Sequence, residues 1–267
     1  MKQSPFENIS PLRYPGGKTR ACKKLDLIFN EHFDVNKINK VISPFFGGGS
    51  FEFYLQNKYN YKIIANDKFR PLYVFWKTCK HNNKELVDKL YKVKKIDKET
   101  FHKYREEIME ESDKLNQAFY YFIINRCSFS GATLSGGFSD EASTKRFTKS
   151  SIDKIKELNL SKFKIYNKDF EDFIIKHENK SKALLFLDPP YYLEKGSKLY
   201  GSKGDLHETF DHDKLFKVLE NKKNWMMTYN NCEYICELYN KFLILDVEWS
   251  YGMNKTKESS EIVIISK

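Results

Sequence analysis

Lys40-Val41-Ile42-Ser43-Pro44-Phe45-Phe46-Gly47-Gly48-Gly49-Ser50-Phe51-Glu52-Phe53-Tyr54-Leu55 is the stretch that decides the fold. Lys40 to Phe46 is an apolar, β-rich run that reads as a buried strand, and Ser50 is placed to cap a helix that continues through Leu55. Strand, glycine loop and helix in that order open a doubly wound, mostly parallel α/β sheet, in which ligands gather beyond the carboxyl ends of the strands. Three successive glycines let a ligand approach the backbone, and the helix N-terminus favours a carboxylate. The loop fits neither the dinucleotide spacing GxGxxG nor a phosphate loop ending in GK[ST]; a purely structural glycine turn is the other reading.

Outward from it, the same grammar recurs. Tyr61 to Ala65 is a second apolar run, ending at Asn66-Asp67, and Ala183 to Leu187 a third, ending at Asp188-Pro189-Pro190-Tyr191. Asp67 lies about twenty residues beyond the glycine loop, where a carboxylate can hold the two hydroxyls of a ribose. Capping the turn before Pro71 is its alternative use. The two prolines fix φ and remove two donors, leaving carbonyls free to accept hydrogen bonds in a rigid loop. Asp188 and the Pro189 carbonyl can together accept from an exocyclic amine, with Tyr191 as a face for a base. Near the start, Pro15-Gly16-Gly17 leads into a helix with Lys18 on its first turn, where a cation opposes the helix dipole and so should have another purpose; a solvated lysine is the ordinary alternative.

Between about residues 76 and 150 the texture turns charged and helical, as in Lys84 to Lys95 and Lys98 to Leu115, which marks an inserted module. It closes on two short runs around glycines, Ile123 to Gly131 and Leu134 to Phe138, the pattern of a hairpin. Strand patterns resume at Phe163 to Tyr166, Trp225 to Thr228, Phe242 to Glu248 and Glu261 to Ser266. The expected division is a catalytic domain of residues 1–75 and 151–267, interrupted by a target-recognition module of residues 76–150.

Lys and Arg number 46 against 36 Asp and Glu, a net charge of +10 that attracts polyanions, although lysine-rich codon usage gives the same excess. Cys22, Cys79, Cys127, Cys232 and Cys236 show no metal-ligand spacing, which points to a reducing cytoplasm and no metal. No leader or apolar run of membrane-spanning length is visible, and the first ten residues read as a polar arm.

Tyr14-Pro15-Gly16-Gly17-Lys18, the Phe45 to Ser50 loop, Asp67, Asn125-Arg126, Asp169-Phe170 and Asp188-Pro189-Pro190-Tyr191 together resemble the Dam-type DNA adenine-N6 methyltransferases, in the motif order of their alpha group. The resemblance spans nearly the whole chain and weakens in the inserted module and after residue 230. It implies a Rossmann-like methyltransferase sheet with an inserted, mainly helical DNA-recognition module, and S-adenosyl-L-methionine as methyl donor, leaving S-adenosyl-L-homocysteine. It implies that Tyr14, Lys18, Phe46, Gly47, Gly48, Gly49, Ser50, Asp67, Asp169, Phe170 and Asp188 surround the donor, and that Asp188, Pro189, Pro190 and Tyr191 form the catalytic loop. The partner is double-stranded DNA, whose target adenine is flipped from the stack. Asn125, Arg126, Ser128, Ser130, Lys145 and Arg146, with Arg105 nearby, are the candidate DNA contacts. Where the family usually has Asn-Gly after the Asn-Arg pair, this chain has Ser128-Phe129-Ser130-Gly131, which leaves the base-reading residues open. A cytosine-N4 enzyme, more often marked by Ser-Pro-Pro-Tyr, and an inactive DNA-binding descendant are the alternatives. The further expectations are a monomer or weak dimer and a cognate restriction endonuclease that acts separately.

Overall fold

A computed structural model describes residues 10–14, 16–177, 182–192, 210–248 and 260–266. Pro15 and the first nine residues of the expected arm lie outside these; Ser10 is buried. Seven strands form one sheet: β1 (Lys40–Ser43), β2 (Lys62–Asn66), β3 (Phe163–Tyr166), β4 (Ala183–Leu187), β5 (Trp225–Asn230), β6 (Leu243–Glu248) and β7 (Ser260–Ser266), in the order β3-β2-β1-β4-β5-β7-β6. The first five are parallel, while β7 runs antiparallel between β5 and β6. The chain winds from β1 to β2 and β3 on one side and then returns to place β4 on the other. The carboxyl ends of β1 and β4 therefore flank the point where strand order reverses, the natural ligand crevice of such a sheet.

Alternation along the strands divides the core. Val41, Ile63, Leu184 and Phe186 face one apolar layer, and Ile42, Ile64, Leu185 and Leu187 the opposite one. Helices α1 (Cys22–His32) and α2 (Ser50–Tyr59) cover the first face. It is shared by α3 (Arg70–His81), α4 (Asn83–Tyr91), α5 (Lys98–Glu107), α6 (Lys114–Cys127) and α8 (Lys149–Lys156), while α7 (Asp140–Lys145) packs on α6. The second face is covered by α9 (Phe170–His177), α10 (His212–Leu219) and α11 (Glu233–Leu238). The module's aromatic residues, Phe75, Trp76 and Phe122 among them, belong to the same cluster as Phe46 and Phe53 of the glycine loop and α2. It shares its core with the sheet, and the boundary expected at residues 75 and 76 falls inside α3.

Several local expectations are corrected. The first strand stops at Ser43, because Pro44 has no N–H to donate and Asn66 Nδ2 takes the Pro44 carbonyl at 3.0 Å. Ser50 does not cap α2: Gly49 holds that position at φ 67°, and Ser50 Oγ lies 3.0 Å from Thr19 Oγ1. Lys18 sits in a short 3-10 turn, Lys18–Arg20, ahead of α1. The helical run from Lys84 ends at Tyr91, and that from Lys98 breaks after Glu107, where Asp113 caps a new helix by accepting from Asn116 N at 2.7 Å. No hairpin closes the module. Ile123 to Cys127 complete α6, which is buried nearly all round, and an apolar run of that length reads equally as strand or buried helix. Two 3-10 turns follow, with one isolated bridge between Ser128 and Phe138.

Candidate active site

Beyond the carboxyl ends of β1 and β4 lies a cleft of about 560 Å³, within the range of small-molecule sites. Every residue expected from sequence to form the catalytic loop or surround the donor lines it.

Its centre is ionic. Lys18 Nζ meets Asp188 at 2.8 Å from Oδ1 and 3.1 Å from Oδ2, and donates to the Gly16 carbonyl at 2.9 Å. Lys18 is 4% exposed and clamps the Asp188 carboxylate. Thr228, at the centre of the otherwise apolar β5, donates to Asp188 Oδ1 at 2.6 Å. The Tyr191 hydroxyl donates to Glu261 Oε2 at 2.6 Å, its ring stacks on Tyr229 at 5.8 Å, and Lys18 Nζ lies 5.0 Å from the ring centre. Glu261 Oε2 is in turn 4.0 Å from Lys18 Nζ. Each Asp188 oxygen has two lone-pair directions, so Oδ2 keeps the capacity to accept from an amine.

The glycine loop is shaped by what packs on it. Gly47 has φ 48°, and a Cβ there would come within 2.8 Å of the Tyr14 ring. Trp76 Nε1 donates to the Gly47 carbonyl at 3.0 Å, while Gly47 N donates to Asp67 Oδ2 at 2.9 Å. Asp67 Oδ1 accepts from Phe69 N, also at 2.9 Å, so each oxygen retains room for a hydroxyl. Burial pushes the Asp67 carboxyl up to about 6 against those two backbone hydrogen bonds. Asp169 is also penalised by burial, but its ion pair with Lys68 at 3.0 Å and a bond from Glu171 N hold it below the usual carboxylate range. Phe45, Phe170 and Phe210 meet with ring centres 5.4 to 5.7 Å apart, an aromatic corner on the same cleft.

The candidate DNA contacts are arranged differently, and none of them lines the cleft. Asn125 is fully buried: its Oδ1 accepts from Arg13 N at 2.9 Å, and its Nδ2 donates to Arg13 O at 2.6 Å and Thr133 Oγ1 at 3.1 Å. Ser128, also fully buried, donates to Asn125 O and accepts from Thr133 N. These two side chains hold the segment's shape and present nothing to a duplex. Arg126 donates to the carbonyls of Arg146 at 2.7 Å and Pro11 at 3.2 Å. Burial, with Arg13 and Arg146 close by, lowers its guanidinium to about 10. Arg105 donates to Gly136 O at 3.2 Å. Ser130, Lys145 and Arg146 are exposed, with Lys145 paired to Glu141 at 3.1 Å.

A family model described as D12 class N6 adenine-specific DNA methyltransferase matches residues 14–253, from the tyrosine over the glycine loop to beyond β6. The chain belongs to that family. It is an adenine-N6 DNA methyltransferase, and the cytosine-N4 alternative falls away. A curated relative, the Type II methyltransferase M.MjaIII of Methanocaldococcus jannaschii, is 26% identical over 275 aligned positions, covering 92% of this chain and 91% of its own. Another, the Type II methyltransferase M.CviBI of Paramecium bursaria Chlorella virus NC1A, is 24% identical over 247, covering 90% of each. Among the described residues no helix of this D12 protein is long and apolar enough to cross a membrane.

Glu52, Trp76, Phe210, Thr228 and Glu261 escaped the motif reading although all but Thr228 and Trp76 line the cleft. A signal existed for three of them. Glu52 interrupts the apolar run Phe51 to Leu55, Glu261 stands directly ahead of the run Ile262 to Ile265, and Thr228 follows Trp225-Met226-Met227, positions where an unpaired polar group is costly.

Proposed function

We propose that the cleft takes S-adenosyl-L-methionine, and that Asp188 orients the amine of a flipped adenine for methylation. The observation that carries the reading is charge. Six carboxyl groups (Glu52, Asp67, Asp169, Asp188, Asp211, Glu261) line the cleft against three ammonium groups (Lys18, Lys68, Lys214), in a protein whose net charge is +10. An acid-lined cleft in a basic protein suits a cationic small molecule and opposes a polyphosphate. The residues fit such a donor: Asp67 with free lone pairs for a ribose, the aromatic corner of Phe45, Phe170 and Phe210 for adenine, and the loop under Tyr14 for the amino-acid end.

When bound, the donor supplies a methyl group on a sulfonium, open to direct displacement. The protein's part is to bring N6 to it. The target adenine leaves the duplex, because its N6 is engaged in pairing inside the stack. Asp188 and the Pro189 carbonyl accept the two N6 hydrogens, Tyr191 offers its ring to the base, and Pro190 stiffens the loop. Lys18 and Thr228 hold the Asp188 carboxylate in place before the base arrives, so positive charge growing on N6 meets a preorganised partner. No nucleophilic side chain is needed.

Exposed Arg146, Lys145 and Ser130 are the surface through which the module meets duplex DNA, while Arg126 braces it from behind. The Type II names of the two relatives support a modification enzyme with a separate cognate endonuclease. The test is to bind S-adenosylmethionine by calorimetry, then treat unmethylated genomic DNA and map modified bases at single-nucleotide resolution. N6-methyladenine in one recurrent sequence is expected; scattered or absent methylation overturns the reading.

A further inference from the structure

Glu52 is an acid within Phe51-Glu52-Phe53-Tyr54 on the first turn of α2, and it is 3% exposed. Ser43 Oγ donates to its Oε1 at 2.6 Å, and the backbone N–H of Glu52 itself also bonds the carboxyl. The side chain nevertheless lines the cleft. A buried carboxyl beside a ligand cavity, with no ion pair of its own among the described residues, calls for an explanation.

The groups facing it narrow the answer. From the turn ahead of α1 comes Lys18, already committed to Asp188; from the end of β4 comes Asp188 itself; from β1 comes the Ser43 hydroxyl. Among the described residues no cation forms an ion pair with Glu52. Burial pushes its carboxyl up to about 8, helped by the charge of Asp188 and opposed by the Ser43 hydrogen bond and by Lys18. It therefore carries a proton at neutral pH until another positive group comes to its open side.

We propose that Glu52 binds the α-ammonium of the methyl donor's amino-acid end, and that its carboxyl proton leaves to solvent as the donor enters. This rests on the reading that the cleft takes S-adenosylmethionine. Of that molecule's two cationic centres only the ammonium has N–H bonds to give an accepting oxygen; the sulfonium has none. The exchange balances: one carboxyl O–H bond breaks, its proton passes to buffer, and an ammonium N–H to carboxylate hydrogen bond forms. The demethylated product keeps the ammonium, so it drives the same release.

Calorimetry of the full chain at pH 7, in buffers of different ionisation enthalpy, reads the proton directly. About one proton should leave per molecule of S-adenosylmethionine or S-adenosylhomocysteine bound. Methylthioadenosine, which lacks the amino-acid end, should release none. Between pH 6.5 and 7.5 the affinity of the wild-type protein for S-adenosylmethionine should rise by close to ~tenfold per pH unit, since the complex holds one proton fewer. Glu52→Gln keeps the Ser43 hydrogen bond; it should abolish the release, flatten that pH dependence and weaken both ligands about tenfold or more at pH 7.5. Binding by the wild type without proton release, or equal release from Glu52→Gln, overturns the assignment. Failure of the wild type to bind S-adenosylmethionine at all sinks the donor reading and this inference with it. The wild-type titrations decide the matter even if the variant folds poorly. Where it folds, a second readout follows: a carboxyl raised from the ordinary 4.5 to about 8 stabilises the fold at low pH and loses that contribution as pH climbs between those values. Thermal melts of Glu52→Gln should lack that slope.

Discussion

Two parts of the molecule use polar groups for opposite ends. At the carboxyl ends of β1 and β4, Lys18, Asp188 and Glu261 bind one another, with Thr228 behind them, but stay on the wall of a cleft with accepting capacity left over. At the end of α6, Asn125, Arg126 and Ser128 bind main-chain groups of Arg13, Pro11, Arg146 and their own turn. The first arrangement aims charge at a visitor. The second fixes backbone, because loops with buried N–H and C=O groups need partners wherever no ladder supplies them. Mutation should separate the two: chemistry lost at the first without the fold, fold lost at the second without specific chemistry.

The largest effect is expected at Asp188. Asp188→Asn keeps the shape and one oxygen to accept from Lys18 and Thr228 but removes the charge and the second acceptor, and methyl transfer should fall on the order of a thousandfold. Single-turnover transfer of labelled methyl to DNA, at saturating enzyme and donor, separates this from weaker binding. Wild-type rates there would break the comparison at its stronger end. Next comes Asn125→Ala, which strands the N–H and C=O of Arg13 and should cost about 3 kcal/mol in urea unfolding; an unchanged unfolding midpoint would mean the junction carries no structural load. Asp67→Ala should weaken donor affinity by about tenfold in calorimetry, the worth of one or two hydrogen bonds, and an intact affinity would give the ribose another holder. Smallest is Arg146→Ala, an exposed cation, for which DNA affinity should drop a few-fold and the salt dependence lose about one unit of slope. A loss of stability there, with DNA binding unchanged, would move Arg146 to the structural side.

The same contrast explains what the sequence made legible. Strand ends at the reversal point are marked by abrupt changes from apolar runs to glycine, proline and aspartate, and those marks survive reading one chain alone. The α/β sheet, its parallel strands and the cleft lining were therefore open to view. The end of the module was not: α6 is apolar from Ala118 to Ile124 because its helix is enclosed, so period could not separate helix from strand where Ile123 to Cys127 complete it. Asn125 looked like a reader of bases because an amide pairs equally well with a base edge and with a peptide group. Thr228 and Glu261 stayed hidden for another reason. Their partners, Asp188 and Tyr191, lie 40 and 70 residues away in sequence; the β4–β5 pairing brings Thr228 to Asp188, and the β5–β7 pairing brings Glu261 to Tyr191.

The clamp on Asp188 also sets a timetable. Lys18 is translated 170 residues before the carboxylate that neutralises it, and Glu261 arrives later still, on a strand inserted between two that precede it. Emerging from the ribosome N-terminus first, the chain must keep this lysine in water through most of its synthesis. Such distant closures make for slow folding. The ionic cluster of the cleft is thus complete only once β7 has been made and inserted, and a chain cut short before Glu261 cannot carry it.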